Sequence, residues 1–208
     1  MKSQSKFSNK SKASNNKAKG NSGEIRIIGG QWRGRKLKVH DKEGLRPTTD
    51  RLKETLFNWL MMDIRNAKVL DCFCGAGSLS FEAASRGAQH VTCIEKDKQA
   101  ASQLTQNAMT LHAQSLFTLL QGDFFVQVKQ LNNAFDVIFI DPPFHQGMIE
   151  NTLLELIKNN VLKTGSIVYV EQESSGSFDL SNSSLSSQFE LTKEKKAGQV
   201  LAQLFTFI

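Results

Sequence analysis

Short apolar runs alternate with amphipathic stretches along the chain from residue 68 onward. The apolar runs are KVLDCF, HVTCIE, SLFTLLQ, DVIFI and SIVYVE. Stretches with apolar residues at helical spacing separate most of them, at about 77–86, 97–112 and 148–160. Buried strands that alternate with helices are typical of a parallel sheet with helices on both faces. The sequence therefore predicts an α/β fold.

Both flanks of this region carry further elements. EIRIIGG and RKLKV alternate apolar with polar residues across a glycine-containing link, which predicts a small N-terminal β-hairpin. A helix capped at Thr48, Thr49 or Asp50 is predicted next, with Trp59 on its apolar stripe. FELTKEKKAG and QVLAQLFTFI predict a C-terminal antiparallel hairpin, joined at Ala197 and Gly198, that closes one edge of the sheet.

Positive charge is confined to the N-terminal quarter of the chain. Residues 1–23 hold six lysines and no acidic residue, and residues 24–53 hold nine Lys and Arg against four acids. Residues 54–208 hold eleven Lys and Arg against sixteen acids. The first segment has too few apolar residues to bury a core, so it is predicted to be a disordered basic tail. The second can follow a phosphate backbone, which favours a nucleic-acid partner.

Other features exclude several classes of protein. Three cysteines, Cys72, Cys74 and Cys93, lack CxxC spacing and are interpreted as small buried residues. The four histidines share no metal-ligand spacing, so no metal is expected. No apolar run approaches the roughly 18 residues that span a bilayer, and a signal peptide is not apparent. We expect one soluble, cytoplasmic domain with no membrane partner, and a monomer by default.

The loop CFCGAG after the first predicted strand is the first candidate site. Its glycines, Gly75 and Gly77, allow a ligand to approach the backbone and the free amides of a helix N-terminus. A dinucleotide fingerprint fails here, because its third glycine would fall on Ser80. The loop alone is also compatible with an ordinary strand-to-helix turn.

Acidic residues at three successive strand ends narrow the choice of ligand. Asp71 precedes the glycine loop and can hold an ammonium group, Glu95 ends the second strand and can accept a ribose diol, and Asp123 follows the third strand and can accept an adenine amine. An adenosine with a cationic amino acid is S-adenosylmethionine. The candidate cofactor-binding residues are Asp71, Phe73, Gly75, Gly77, Glu95, Asp123 and Phe124.

The fourth strand ends in Asp141, Pro142, Pro143 and Phe144, which are the candidate catalytic residues. The prolines lack amide hydrogens, so this turn offers a carboxylate and carbonyl oxygens as acceptors. Such a pair can hold an NH2 group with its lone pair directed at a methyl donor. The Phe144 ring can stack on a nucleobase that has been flipped out of the nucleic acid. Tyr169, Glu171 and Glu173 end the next strand and can line a base pocket.

These motifs resemble a known family. VLDCFCGAGSLS, Glu95, Gly122 with Asp123, and DPPF are similar to the motifs of class I methyltransferases that modify exocyclic amines. IRIIGGQWRGRKL, GLRPTTDRLKETLFNWL, YVE and EKKAGQV resemble the RsmD family of bacterial 16S ribosomal RNA guanine-N2 methyltransferases, over residues 24–208. Cys74 departs from the small Ala or Ser that is usual there.

The resemblance implies a Rossmann-like, seven-stranded, mostly parallel sheet with a reversed terminal strand. It also implies methyl transfer from S-adenosylmethionine to a guanine N2 in 16S rRNA, within the assembled or assembling small subunit. Asp141 and the backbone oxygen of Pro142 would hold the amine. Cations and an aromatic ring near the N-terminus suit RNA, and the candidate RNA-binding residues are Arg26, Trp32, Arg33, Arg35, Arg46, Thr48 and Arg51.

The predicted organisation is a tail at 1–23, the hairpin and RNA-binding extension at 24–47 and the methyltransferase domain at 48–208. Alternatives remain at this stage. DPPF alone also permits a DNA or tRNA amine methyltransferase, and the basic segment permits a noncatalytic RNA-binding assembly factor. A nicotinamide oxidoreductase is disfavoured by Ser80.

Overall fold

The structure is a computed structural model that describes residues 23–39, 50–176 and 178–208, in which a two-stranded hairpin leads into a seven-stranded sheet. The hairpin consists of β1 (Glu24–Arg26) and β2 (Lys36–Lys38). The strands of the large sheet are β3 (Lys68–Asp71), β4 (His90–Glu95), β5 (Phe117–Gln121), β6 (Val137–Ile140), β7 (Ile167–Glu173), β8 (Phe189–Ala197) and β9 (Val200–Phe207).

The order of the large sheet is β5-β4-β3-β6-β7-β9-β8. Strands β3 to β7 pair in parallel, whereas β9 is antiparallel to both β7 and β8. The predicted Rossmann-like sheet with an antiparallel C-terminal hairpin at its edge is therefore confirmed. Strand β3 is two residues shorter than the predicted KVLDCF, because the chain turns into the glycine loop after Asp71.

Helices cover both faces of this sheet. They are α1 (Asp50–Trp59), α2 (Ser78–Ser85), α3 (Lys98–Thr110), α4 (Phe124–Gln127) and α5 (Ile149–Lys158). Successive strand residues point to opposite faces, and Phe139 packs in one core with α1, α2 and α3 while Ile138 and Ile140 pack in a second core with α5. The helices predicted at 77–86, 97–112 and 148–160 are confirmed to within two residues.

The N-terminal hairpin is part of the first of these cores. Ile25, Ile27, Leu37 and Val39 are buried in the same cluster as α1, α2 and α3. The Lys53 ammonium, on α1 and only 1% exposed, donates to the Arg26 carbonyl at 2.6 Å. The division of the chain into an extension at residues 24–47 and a methyltransferase domain at 48–208 stays a prediction.

The turn of the hairpin docks on the C-terminal end of α2. The fully buried Glu82 carboxylate accepts from Ile28 N at 2.8 Å and from Arg86 Nε at 2.7 Å. The Ser85 hydroxyl donates to the Gly29 carbonyl at 2.6 Å and accepts from Trp32 N at 3.0 Å. These hydrogen bonds join α2 side chains to backbone atoms of the hairpin turn. They therefore fix the orientation of the hairpin itself and not only that of its side chains.

Some predictions fall outside the described residues. These include nearly all of the basic tail, the capping candidates Thr48 and Thr49, and the RNA-binding candidates Arg46 and Thr48. The three cysteines are buried free thiols, as interpreted from the sequence. Trp59 is half-buried against the first core. None of the described helices is long and apolar enough to cross a membrane.

Candidate active site

The carboxyl ends of four neighbouring parallel strands bring the predicted cofactor residues to one edge of the sheet. Strand β3 leads into the glycine loop, β4 ends at Glu95, β5 leads to Asp123 and β6 leads to Asp141. The Glu95 carboxylate accepts a hydrogen bond from Gly75 N at 2.8 Å, which joins two of these strand ends directly. Ligands of open α/β sheets bind at this edge.

The glycine loop leaves polar groups available to a ligand. Gly77 has a φ of +79°, and a Cβ there would lie 2.3 Å from Leu104 Cδ2 and 2.8 Å from the Phe81 ring. The next residue begins α2, whose N-terminus has no side-chain cap. The buried Ser78 hydroxyl lacks a hydrogen-bond partner among the described residues. The amides at the start of α2 and the Ser78 hydroxyl can therefore donate to a bound carboxylate or another anionic group that approaches the glycine loop.

Asp71 is the buried acid of this site, with 2% of its surface exposed. Ser80 Oγ donates to Asp71 Oδ2 at 2.6 Å, and Cys93 Sγ donates to Ser80 Oγ at 3.2 Å. Burial raises the pKa of Asp71 to about 7; the Ser80 hydrogen bond lowers this pKa and the charge of Glu95 raises it. The Asp71 carboxyl group is therefore about half ionised near pH 7.

Ser80 was not recognised as a site residue from the sequence. In the sequence, Ser80 is distinguished only by occupying the position of the third glycine in a dinucleotide fingerprint. In the structure it is fully buried and orients the Asp71 carboxylate. The serine at that position was the available signal, since a buried hydroxyl on the first turn of a helix needs a partner.

Glu95 is half-buried and held between two loops. Its Oε2 accepts from Gly75 N, and its Oε1 accepts from Asp97 N at 2.6 Å. A carboxylate has about four lone-pair sites, so these bonds leave acceptor capacity for a ribose diol. The two backbone donors fix the orientation of the carboxylate before a ligand arrives.

Asp123 has protein partners on both oxygens. Its Oδ1 caps α4 by accepting from Phe125 N at 3.0 Å, and its Oδ2 accepts from the exposed Lys96 ammonium at 3.0 Å. An adenine amine at this carboxylate would share an oxygen with Lys96. Phe124 is buried, and its ring centroid lies 5.2 Å from that of the half-buried Phe73, so the two rings form one apolar wall.

The loop after β6 carries the predicted catalytic residues. Asp141 and Phe144 are half-buried, Pro142 is buried and Pro143 is exposed. Glu173, at the end of β7, anchors this loop: its Oε1 accepts from His145 N and lies 3.0 Å from His145 Nδ1. The sequence did not predict this anchor, which holds the loop from the neighbouring strand.

A buried pair lies behind Asp141 on β7. Tyr169 Oη donates to Glu171 Oε2 at 3.0 Å, and Glu171 is 4% exposed. Burial raises the pKa of the Tyr169 phenol well above its ordinary value, and the charges of Glu171 and Asp141 raise it further. Glu171 already accepts this hydrogen bond, so any role in a base pocket must be compatible with its bond to Tyr169. Two carboxylates converge at the ends of β6 and β7.

The candidate RNA-binding residues are not all close to this edge. Arg26, Arg33 and Arg35 are exposed on the hairpin, and Trp32 is half-buried against the first core. The hairpin turn sits at the C-terminal end of α2, eight residues from the glycine loop, which corresponds to about 12 Å of helix. Arg51, on the first turn of α1, is exposed.

Metal ligands do not cluster in this part of the fold. Within the three described ranges, no group of three or more His, Cys, Asp and Glu side chains could hold a metal ion. The polar groups at the carboxyl edge are instead carboxylates, backbone amides and a hydroxyl. Such groups suit the ribose, the ammonium and the carboxylate of a nucleoside that carries an amino acid.

Known proteins match nearly the whole of the described chain. The family described as "Conserved hypothetical protein 95" matches residues 25–206. Ribosomal RNA small subunit methyltransferase D of Escherichia coli (strain K12) is 44% identical over 184 residues, covering 88% of this chain and 90% of that protein. The Haemophilus influenzae protein of the same name is 51% identical over 155 residues, covering 73% and 80%.

A solved structure agrees with these matches. The yhhF protein of Escherichia coli is 42% identical and superposes with a TM-score of 0.79, covering 89% of this chain and 98% of that one. The family match includes the N-terminal hairpin, the glycine loop and the loop after β6. The chain therefore belongs to the RsmD family of class I methyltransferases, whose methyl donor is S-adenosylmethionine.

Proposed function

We propose that this protein methylates the N2 amine of a guanine in the 16S rRNA of the small ribosomal subunit, in the cytoplasm. The observation that carries this proposal is the position of Asp141 and Pro142 at the end of β6, beside the β3 glycine loop. The names of the relatives support the ribosomal substrate, since both are ribosomal RNA small subunit methyltransferases.

Residues at and just after the carboxyl ends of β3, β4 and β5 would hold S-adenosylmethionine. Asp71 would accept from its ammonium, the α2 amides and Ser78 hydroxyl would bind its carboxylate, and Glu95 would accept from its ribose. When bound, the cofactor supplies an electrophilic methyl group on a sulfonium. Phe73 and Phe124 offer an apolar wall for the adenine, and Asp123 offers an acceptor that it shares with Lys96.

Asp141 and the backbone oxygen of Pro142 would accept the two hydrogens of the guanine amine. The amine lone pair is delocalised into the ring, so holding both hydrogens out of the ring plane localises it and makes the nitrogen more nucleophilic. Positive charge develops on that nitrogen during transfer, and the Asp141 carboxylate stabilises this charge. The methylated amine then loses its extra proton to Asp141 or to water.

The test of this proposal is transfer of labelled methyl groups to a panel of substrates. Small subunits lacking the modification, free 16S rRNA, tRNA and DNA are each incubated with the protein and labelled S-adenosylmethionine. Label on guanine N2 of the small subunit supports the proposal. Label on DNA or tRNA alone identifies a different amine methyltransferase, and absence of cofactor binding indicates a noncatalytic RNA-binding protein.

Affinity for the cofactor is expected to rise with pH because of Asp71. Between pH 6 and pH 7, the ionised fraction of a carboxyl with a pKa of about 7 rises about fivefold. The α-amino group of the cofactor stays largely protonated in this range. Calorimetry should therefore show an about fivefold tighter Kd at pH 7. Asp71→Asn should bind weakly at both pH values, and a flat wild-type profile would contradict the assignment of Asp71 to the ammonium.

Arg33→Ala should weaken RNA binding while sparing cofactor affinity, because Arg33 is exposed on the docked hairpin. Removing the cation that neutralises one phosphate should reduce the slope of log Kd against log salt by about 0.7 for single-stranded RNA. Fluorescence anisotropy over a salt series measures this slope. Lys158→Ala, on the opposite face of the sheet at the end of α5, is the control. An unchanged slope in Arg33→Ala would argue against the hairpin as a phosphate-binding element.

A further inference from the structure

A groove lined by cations lies between α1 and the turn that joins β8 to β9. Its volume is about 390 Å³, and its lining consists of Arg51, Leu52, Thr55, Lys195, Lys196, Ala197 and Gly198. The Lys195 ammonium donates to Thr55 Oγ1 at 3.2 Å, so a side chain from the turn is already held against α1. Of these cations, only Arg51 was a candidate RNA-binding residue from the sequence.

Among the described residues, no carboxylate is paired with the cations of this groove. In the part of the chain that the structure describes, Arg51, Lys195 and Lys196 form no ion pair. Two of the four acids on the same two elements have other partners: Asp50 lies 3.4 Å from Lys53 Nζ, and Glu194 accepts from Gln203 Nε2 at 2.8 Å. Glu54 is exposed on α1. The described lining therefore carries three positive charges and no negative one.

The groove lies at the edge of the sheet that carries the candidate active site. Strand β9 pairs with β7 so that Val200 is opposite Glu173, the last residue of β7. The turn is fixed there by a hydrogen bond from Ser174 N to the Gln199 carbonyl at 2.7 Å. Because Glu173 also anchors the loop after Asp141, the turn and the catalytic loop are held by the same strand end.

This position differs from that of the N-terminal basic turn. Arg33 and Arg35 lie near the far ends of α2 and α3, and Arg35 Nη2 is 3.5 Å from the Thr110 carbonyl. Arg51, Lys195 and Lys196 are instead at the carboxyl edge, where a base must enter. A nucleic acid whose base reaches Asp141 brings its flanking phosphates to this edge.

We propose that this groove binds a backbone phosphate of the RNA strand that carries the target guanine. The proposal rests on the proposed function, since it names a second binding site for the same substrate. Three cations in one groove attract the single negative charge of a backbone phosphate, and the Arg51 guanidinium can donate two parallel hydrogen bonds to phosphate oxygens. The RNA-binding surface then includes the C-terminal hairpin as well as the N-terminal one.

The experiment uses the full chain with the double substitution Lys195→Gln and Lys196→Gln. Steady-state methyl transfer is measured on unmethylated small ribosomal subunits, and binding is measured over a salt series. We expect KM to rise about tenfold and kcat to stay within about twofold, because phosphate binding contributes to affinity rather than to the chemical step. The salt slope should fall by about 0.7 for each phosphate that the variant no longer neutralises.

Two controls separate this result from a change in folding. Lys158→Gln makes the same kind of substitution, for one charge instead of two, at the opposite edge of the sheet and should leave KM unchanged. Arg51→Gln, which does not alter the bond between Lys195 and Thr55, should reproduce part of the rise in KM. Cofactor affinity and Tm of each variant should match the wild type.

The outcomes distinguish this proposal from the proposed function. An active wild type whose KM and salt slope are unchanged by both groove variants overturns the groove alone. A groove variant that loses cofactor affinity in proportion to activity assigns the groove to the cofactor and also overturns it. A wild type that binds cofactor but transfers no methyl group to any ribosomal substrate overturns the proposed function, and the groove proposal with it.

Discussion

Replacing Asp141 with asparagine is expected to lower kcat for methyl transfer by about 10²- to 10³-fold, with the Kd for S-adenosylmethionine within about twofold. The substitution keeps the shape of the side chain but removes its negative charge. It also replaces one of the two carboxylate oxygens with an NH2 group, so the side chain keeps only one, uncharged acceptor for the guanine amine. Because Asp141 follows β6 rather than the strands that would bind the cofactor, the loss should appear in the chemical step.

The surroundings of Asp141 explain why the expected effect is large. Asp141 and Glu171 both raise the pKa of Tyr169, which places the two carboxyl groups near this phenol at the ends of β6 and β7. A carboxylate that is in place before substrate binds favours a nitrogen that becomes positive during transfer. An asparagine at residue 141 removes the charge nearest the proposed amine and leaves the buried Glu171 behind it.

A matched control lies at the other end of the same strand. Asp136 comes just before β6, at the opposite edge, where its Oδ2 accepts from Lys68 N at 2.7 Å. Asp136→Asn makes the same chemical change and can keep that bond through its amide oxygen, so kcat should stay within about twofold. Single-turnover transfer to unmethylated small subunits measures both variants. Equal rates for Asp141→Asn and wild type would remove Asp141 from the mechanism.

The sequence predicted the fold because the fold depends on local patterns. Apolar runs that alternate with amphipathic stretches determine which segments form buried strands, and parallel order then places every strand end at one edge. Asp71, Glu95, Asp123 and Asp141 could be assigned to one site for this reason. Only their position at the ends of strands was needed, and that position can be read along the chain.

Contacts between distant residues could not be predicted in the same way. Glu82 accepts from Ile28, 54 residues away, and Glu173 accepts from His145, 28 residues away. Nothing in the spacing of these residues indicates that they meet, because the contact depends on how helices and loops pack. The sequence assigns no role to Glu82 and places Glu173 among the residues that can line a base pocket, whereas in the structure one anchors the hairpin and the other anchors the loop after β6.

Charge clustering in the sequence was also an incomplete guide to position. Arg33, Arg35 and Arg51 belong to one basic segment of the chain, but α2 separates the hairpin turn from the carboxyl edge. Lys195 and Lys196 belong to a segment with an excess of acids, yet they lie beside Arg51 in one groove. The grouping of cations that a phosphate would meet is therefore a property of the fold.

Gly77→Ala is expected to destabilise the protein and to weaken cofactor binding together. A non-glycine residue at a φ of +79° costs about 1–2 kcal/mol. Its Cβ would also lie 2.3 Å from Leu104 Cδ2, and overpacking of this kind costs about 1–3 kcal/mol. The free energy of unfolding should fall by about 2–5 kcal/mol, and denaturant titration measures this change.

The effect on the cofactor follows from how the collision is relieved. Leu104 and Phe81 are buried in the first core, so the glycine loop is the part that can move, and it carries Gly75 N and the start of α2. The Kd for S-adenosylmethionine should therefore rise by about tenfold or more. Gly165→Ala separates strain from collision: its φ is +86° with nothing within 4 Å of the added Cβ. That variant should lose only about 1–2 kcal/mol and bind cofactor normally. Equal cofactor affinities in the two variants would show that the loop is not the cofactor site.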